Sequence, residues 1–214
     1  MKALRKYMVL VCFFTCAHAG AQEAVALSHY VLDGFVKGRV QQKNGSMDAA
    51  MLNYNVLSGE IIFESAPGQY LALANPEKVD TVFIQDRKFI PVNDKFFEVL
   101  TMVAYPLLLE YTCTVKEPGS DVGYGMTSVT TASTAVKALI QGGGAYSLHL
   151  PDGYRIIPGY NYWLYKDGKY QKANNAKQMI VALPEKRESI NEWVKTNNTN
   201  FTKRGDITEL VKHI

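Results

Sequence analysis

The sequence predicts an α+β fold, with an antiparallel β-meander forming a sheet-rich core and two or three C-terminal helices packed on it. Three observations predict it. Short apolar, β-branched or aromatic runs recur evenly between residues 30 and 117, with turn residues between them and no long helical pattern. A stretch rich in Gly, Ser, Thr and Ala follows at about 118–145. From Asn174 the apolar period changes to that of helices. Strands first and helices last segregate the two element types, as α+β folds do.

The first zone opens with 31–41, carrying Val31, Phe35, Val36 and Val40, followed by the run 59–64. Ala66-Pro67-Gly68 is a turn, because proline presets φ and glycine accepts a positive φ. A strand resumes at 69–73 and Asn75-Pro76-Glu77-Lys78 breaks it. Residues 79–84 alternate, with Val79, Thr81 and Phe83 expected on one face. Gln85-Asp86 turns the chain into 87–92 as a hairpin, and 96–102 and 107–115 are two more strands.

Residues 118–145 read as a long mobile loop, since small side chains bury little apolar area to offset the entropy of ordering. Strands are expected at 146–150, 154–157 and 160–165. Lys166-Asp167-Gly168-Lys169 is a hairpin signal, because Asp-Gly suits a tight primed turn. In the closing zone, about 174–214, residues 177–183 form a short helix with Met179, Ile180 and Leu183 on one side. Pro184 opens a second at its favoured first position, where Ile190, Trp193 and Val194 share a face; Asn197-Asn198 ends it. Asp206 starts a third, with Glu209 three residues on as in a capping box and Ile207, Leu210, Val211 and Ile214 as its stripe.

The first 21 residues read as a secretory signal peptide. A basic start (Lys2, Arg5, Lys6) precedes an apolar run too short to span a bilayer, and Ala17-His18-Ala19 and Ala19-Gly20-Ala21 offer small-x-small cleavage sites. Cleavage before Gln22 leaves 22–214 as a single β-rich domain of 193 residues with 20 basic and 20 acidic side chains. Zero net charge gives no electrostatic footprint for nucleic acid, and no transmembrane segment is expected after cleavage. Cys12 and Cys16 fall in the signal, so Cys113 is the only mature cysteine and is expected to pack as a small hydrophobe. Phe13-Phe14-Thr15-Cys16 departs from a lipoprotein box, with a bulky aromatic at −3 and threonine before the cysteine, so soluble release is expected over anchoring through Cys16.

No catalytic, cofactor-binding or metal residue is assigned. His29, His149 and His213 lie far apart without a partner at ligand spacing, and HExxH, CxxC and GxSxG are absent. His149, between Leu148 and Leu150, reads as a half-exposed strand residue rather than a base. Gly142-Gly143-Gly144 lacks the lysine of a phosphate loop and reads as a linker. Tyr160, Tyr162, Trp163 and Tyr165 are expected as strand core, with a sugar-stacking or peptide-binding platform as the sharper reading. Alternation puts Tyr160 and Tyr162 on one face and Trp163 and Tyr165 on the other. Asp80-Thr81-Val82 resembles the acid-hydroxyl-apolar acceptor of bacterial O-glycosylation, against an ordinary strand.

Taken together, Ala19-Gly20-Ala21-Gln22, Leu52-Asn53-Tyr54-Asn55 before a strand, Val79-Asp80-Thr81-Val82-Phe83-Ile84 leading into Arg87-Lys88-Phe89-Ile90-Pro91, and the closing helices resemble an uncharacterised secreted protein family of Bacteroidetes-type bacteria. The resemblance covers most of the mature chain. It implies a cell-envelope or secreted setting, periplasmic or extracellular, and no activity. The expected function is a non-catalytic binding or interaction module with an envelope protein, peptide or glycan as partner. The alternative is an extracytoplasmic hydrolase whose active site is assembled from distant residues.

Overall fold

A computed structural model of the chain describes residues 28–116 and 145–214. The first 21 residues, read above as a signal peptide, and nearly all of the Gly/Ser/Thr-rich zone, with Gly142-Gly143-Gly144, lie outside the described residues.

Ten strands form one antiparallel sheet. They are β1 (Val36–Gln42), β2 (Met47–Asn55), β3 (Glu60–Ala66), β4 (Gln69–Ala72), β5 (Val79–Ile84), β6 (Arg87–Val92), β7 (Lys95–Thr101), β8 (Leu107–Lys116), β9 (Arg155–Lys166) and β10 (Lys169–Lys172). Their order is β10-β9-β8-β7-β6-β5-β1-β2-β3-β4. Two meanders therefore meet at the β1–β5 pair, and the chain crosses from the β4 edge back to the middle through a 3-10 turn, Pro76–Lys78. Three helices follow: α1 (Ala176–Ala182), α2 (Arg187–Asn197), entered through the 3-10 turn Pro184–Lys186, and α3 (Arg204–His213). The fold is α+β, as expected.

The sheet curls until distant strands touch. Tyr54 of β2 donates through Oη to the Phe96 carbonyl of β7 at 2.8 Å, and the Phe96 N–H donates to the Gly59 carbonyl at 2.9 Å. Three strands stand between β2 and β7 in the sheet order, so these bonds close the sheet on itself. Gly38 in β1 permits the curl. A Cβ there would lie 2.6 Å from the Phe83 carbonyl and 2.7 Å from a Leu52 methyl. The concave face holds the main core, from Leu52 and Tyr54 through Val82, Phe89 and Leu109 to Leu164. Met179, Leu183, Ile190, Ile207, Leu210 and Val211 cover that face from the helices, all at 1% exposure or less. On the other face a smaller cluster of Val92, Phe97 and Leu108 is capped by Trp163.

Local signals behave as their chemistry requires. Asp167 and Gly168 both take positive φ, 49° and 77°, in the β9–β10 hairpin, and Gly68 takes 78° in the β3–β4 turn. Asn198 caps α2 in the left-handed conformation at φ 47°.

Five expectations are corrected. β2 stands where the sequence offers Ala49, Ala50 and Met51, residues without strand preference, because pairing to β1 decides it, with β3 joining from Leu52 on. Val79, Thr81 and Phe83 do not share a face. A register shift at Gln41/Gln42 puts Val79 with Val82 and Ile84 in the main core, outside which Phe83 lies under Arg39 and Lys88. Residues 146–150 form no strand; the Tyr146 N–H joins the β4 edge, at 2.7 Å from the Tyr70 carbonyl. Residues 154–157 and 160–165 belong to one strand, β9. Pro158 is tolerated inside it because β10 reaches only as far as Trp163, leaving Pro158 one neighbour, β8. Finally, α3 begins at Arg204 and no capping box forms: Asp206 accepts from the Asn200 N–H at 2.9 Å, and Glu209 pairs with Lys212 at 2.8 Å.

Candidate functional site

The β7–β8 register places Glu98 opposite Leu109. Glu98 therefore points to the concave face, where it is 0% exposed. An ionised carboxylate there must be paired. Arg204 at the start of α3 donates to Oε1 at 2.5 Å, Tyr111 donates through Oη to Oε2 at 2.5 Å, and the Arg87 Nε stands 4.0 Å from Oε1. Arg87 also donates from Nη1 to the Tyr111 oxygen at 3.1 Å. Burial pushes the Tyr111 phenol well above its ordinary range, and the Glu98 charge and hydrogen bond add to this, so it stays protonated as a donor.

Arg87, Tyr111 and Arg204 border a cavity of about 440 Å³ between the concave face and the segment leading into α3. Its walls are largely apolar and aromatic, with Leu109, Pro158, Tyr160 and Tyr162 from β8 and β9. Tyr162 is buried in the core, whereas Tyr160 is 50% exposed and stands edge-on to Tyr111, centroids 5.8 Å apart. Among the described residues, Arg87 and Arg204 are the only charged side chains in its lining. Their side chains are 26% and 45% exposed, so both reach the cavity and solvent.

One residue on, Glu110 points to the opposite face. It accepts from Lys95 Nζ at 2.8 Å, Asn161 Nδ2 at 3.1 Å and the Trp163 indole N–H at 3.0 Å. Burial pushes its carboxyl up, but these hydrogen bonds and the Lys95 charge outweigh it, and the net shift is downward. The groove there is smaller, about 240 Å³, and Lys172 stands 5.4 Å above the Trp163 ring.

The aromatic quartet divides as alternation requires. Tyr160 and Tyr162 line the concave cavity, while Trp163 and Tyr165 face out, Tyr165 meeting Tyr170 at a tilt of 46° with centroids 4.9 Å apart. Cys113 is half-buried, and burial pushes its thiol up. Thr81 is buried within β5 and bonds Asp80 at 3.0 Å, so Asp80-Thr81-Val82 is an ordinary strand segment.

His213 stacks on Trp193 at 4.1 Å. His149 is exposed, and Ser147 bonds its backbone N–H and carbonyl, at 3.2 and 3.1 Å, not its ring. His29 is fully buried, and neither ring nitrogen meets a partner at bonding geometry among the described residues. Burial lowers its pKa to about 4; the nearby Ser147 backbone offsets part of the fall and the His149 charge adds to it. Among the described residues, no three His, Cys, Asp or Glu side chains gather as a metal-ligand set, and no helix is long and apolar enough to cross a membrane.

Reading by motif missed Arg87, Glu98, Tyr111 and Arg204. Glu98 and Arg204 lie 106 residues apart, so no spacing joins them. The available signal was a carboxylate inside an apolar run, Phe96-Phe97-Glu98-Val99-Leu100, because a buried acid demands a partner. No family model matches the chain, and neither a curated protein nor a solved structure matches it.

Proposed function

We propose that this protein is an exported cell-envelope binding module of the secreted Bacteroidetes-type family it resembles, and that its ligand enters the cavity bordered by Arg87, Tyr111, Tyr160 and Arg204. The observation that carries the reading is the cavity itself. Apolar and aromatic walls surround a few convergent polar groups, the usual composition of a ligand site. Those groups are fixed in advance, since Arg204 donates to Glu98, Arg87 donates to Tyr111, and Tyr111 donates to Glu98. Export rests on the signal-peptide pattern, with release after Ala19 or Ala21. The partner classes are a glycan, a peptide or a segment of an envelope protein.

A hydrolase gains no comparable support. A serine–histidine mechanism needs the hydroxyl in reach of the imidazole, and Ser147 is bonded to the backbone of His149 instead. The test is to isolate the protein from the periplasmic and extracellular fractions of its own host and record native and denatured mass spectra. The denatured mass should begin at Gly20 or Gln22 without lipid. The native spectrum should carry a bound species that Tyr160→Ala loses. Recovery only from the cytosol, or a species retained unchanged by Tyr160→Ala, would refute the reading.

A further inference from the structure

We propose that the cavity takes a small oxyanion, a carboxylate or phosphate group held by Arg87 and Arg204, carried on a body whose flat apolar face lies against Tyr160. This deepens the binding reading and rests on it.

Three observations lead there. The first is charge. Two guanidinium groups share the single carboxylate of Glu98, and the cavity lining holds no acid among the described residues, so the described cluster keeps one positive charge in excess. Glu98 is fully buried behind Arg87, Tyr111 and Arg204, so it fixes the arginines without facing an incoming anion. The second is donor capacity. A guanidinium offers five N–H donors in a fork that matches an oxyanion. Among the described residues Arg87 gives one to Tyr111 and Arg204 gives one to Glu98, which leaves donors on both for a ligand. The third is shape. Tyr160 is held edge-on by Tyr111 and is half exposed, beside Pro158 and Leu109. A flat ring, aromatic or pyranose, would cover that surface, since an aromatic face favours planar contact.

A cation would meet uncompensated like charge here, and a neutral ligand would leave the excess charge unanswered. The groove on the opposite face differs in this respect. There Glu110 and Lys95 neutralise each other and three donors already occupy the carboxylate.

The experiment is calorimetric titration of residues 22–214 with benzoate, phenyl phosphate and benzyl alcohol at low ionic strength. One anion or both should bind at least about tenfold more tightly than the neutral alcohol, because charge-assisted bonds are the strong ones. The tighter of the two distinguishes a carboxylate from a phosphate ligand. Arg204→Gln and Arg87→Gln should each pull the anion-to-alcohol ratio toward one, and Tyr160→Ala should weaken every probe that binds. Thermal melts of each variant establish that it is folded, and two arginine variants keep the test decisive if one is not. Equal binding of benzyl alcohol and both anions overturns the oxyanion assignment while leaving a binding module. So does a ratio unchanged in both arginine variants. Failure of both anions to bind at millimolar concentration overturns it too, whereas a bound species in the native spectrum of the host protein that Tyr160→Ala retains unchanged would sink the broader reading.

Discussion

The helices are load-sharing parts of the core, and the cost of loosening one can be worked out. Ile190 is 0% exposed in the main cluster, whereas Trp193, on the same face of α2, is only half-buried and lies flat on His213 at 4.1 Å. Ile190→Ala deletes about three buried carbons at roughly 0.8 kcal/mol each, about 2.4 kcal/mol before any cavity term. With the cavity the cost should reach about 3–4 kcal/mol. Trp193→Ala removes a larger side chain, but one that keeps contact with water and leaves no sealed void. About 1–2 kcal/mol is expected, below the roughly 3–5 of a tryptophan fully in a core. Urea melts decide this. With a slope of about 2 kcal/mol per molar, Ile190→Ala should lower the midpoint by roughly 1.5–2 M and Trp193→Ala by under about 1 M. A chain ending before Pro184 loses Ile190, Ile207, Leu210 and Val211 together and should show no cooperative transition. A wild-type midpoint for Ile190→Ala, or a larger loss for Trp193→Ala, would refute the packing argument.

Acid should weaken the fold through His29. Its folded pKa near 4 lies below the unfolded 6.5, so the unfolded chain takes the proton first as pH falls. That stability is complete above about pH 6.5 and is lost down to about pH 4, up to roughly 3 kcal/mol. Melts between pH 7.5 and 4 should fall less steeply for His29→Gln, and parallel curves would contradict this. Glu98→Gln should cost about 1–3 kcal/mol, less than a fully buried pair because both arginines reach water, and an unchanged melting temperature would show the cluster is not organised around the charge. Cys113, with its thiol pushed up by burial and directed at the Val56 carbonyl at 3.7 Å, should label with a thiol reagent at pH 8 roughly a hundredfold more slowly than in urea; equal rates would place it outside the core.

Local chemistry was legible where a residue's own constraints decide the structure. Asp167-Gly168, Pro67-Gly68, Pro184 and Asn198 each mark a turn or a helix end at the place where the backbone takes it. Legibility failed where a neighbour in space decides. Ala49 to Met51 become a strand because β1 pairs along them. The face of Val79 depends on a bulge opposite Gln42. Pro158 breaks nothing because its second edge is open. The site is the extreme case. It exists only once the sheet has curled and α3 has been laid over it, bringing Arg204 to a carboxylate on β7.

Glu98 and Glu110 also explain why the candidate site falls on one face and not on the other. Both acids sit in apolar strand runs, and the β7–β8 register sends them to opposite sides of the sheet. On the outer face one lysine, one amide and one indole satisfy Glu110, so charge and hydrogen bonds close within the cluster. Had stability been the only demand, the concave face could have used the same solution, because replacing a second cation with a neutral donor spares the desolvation of another charge. It holds two arginines instead, both beside a cavity and both with donors left over. An excess of charge next to an exposed aromatic ring does little for folding. It is useful to a ligand that brings the missing negative charge, and that asymmetry directs the search to the concave face.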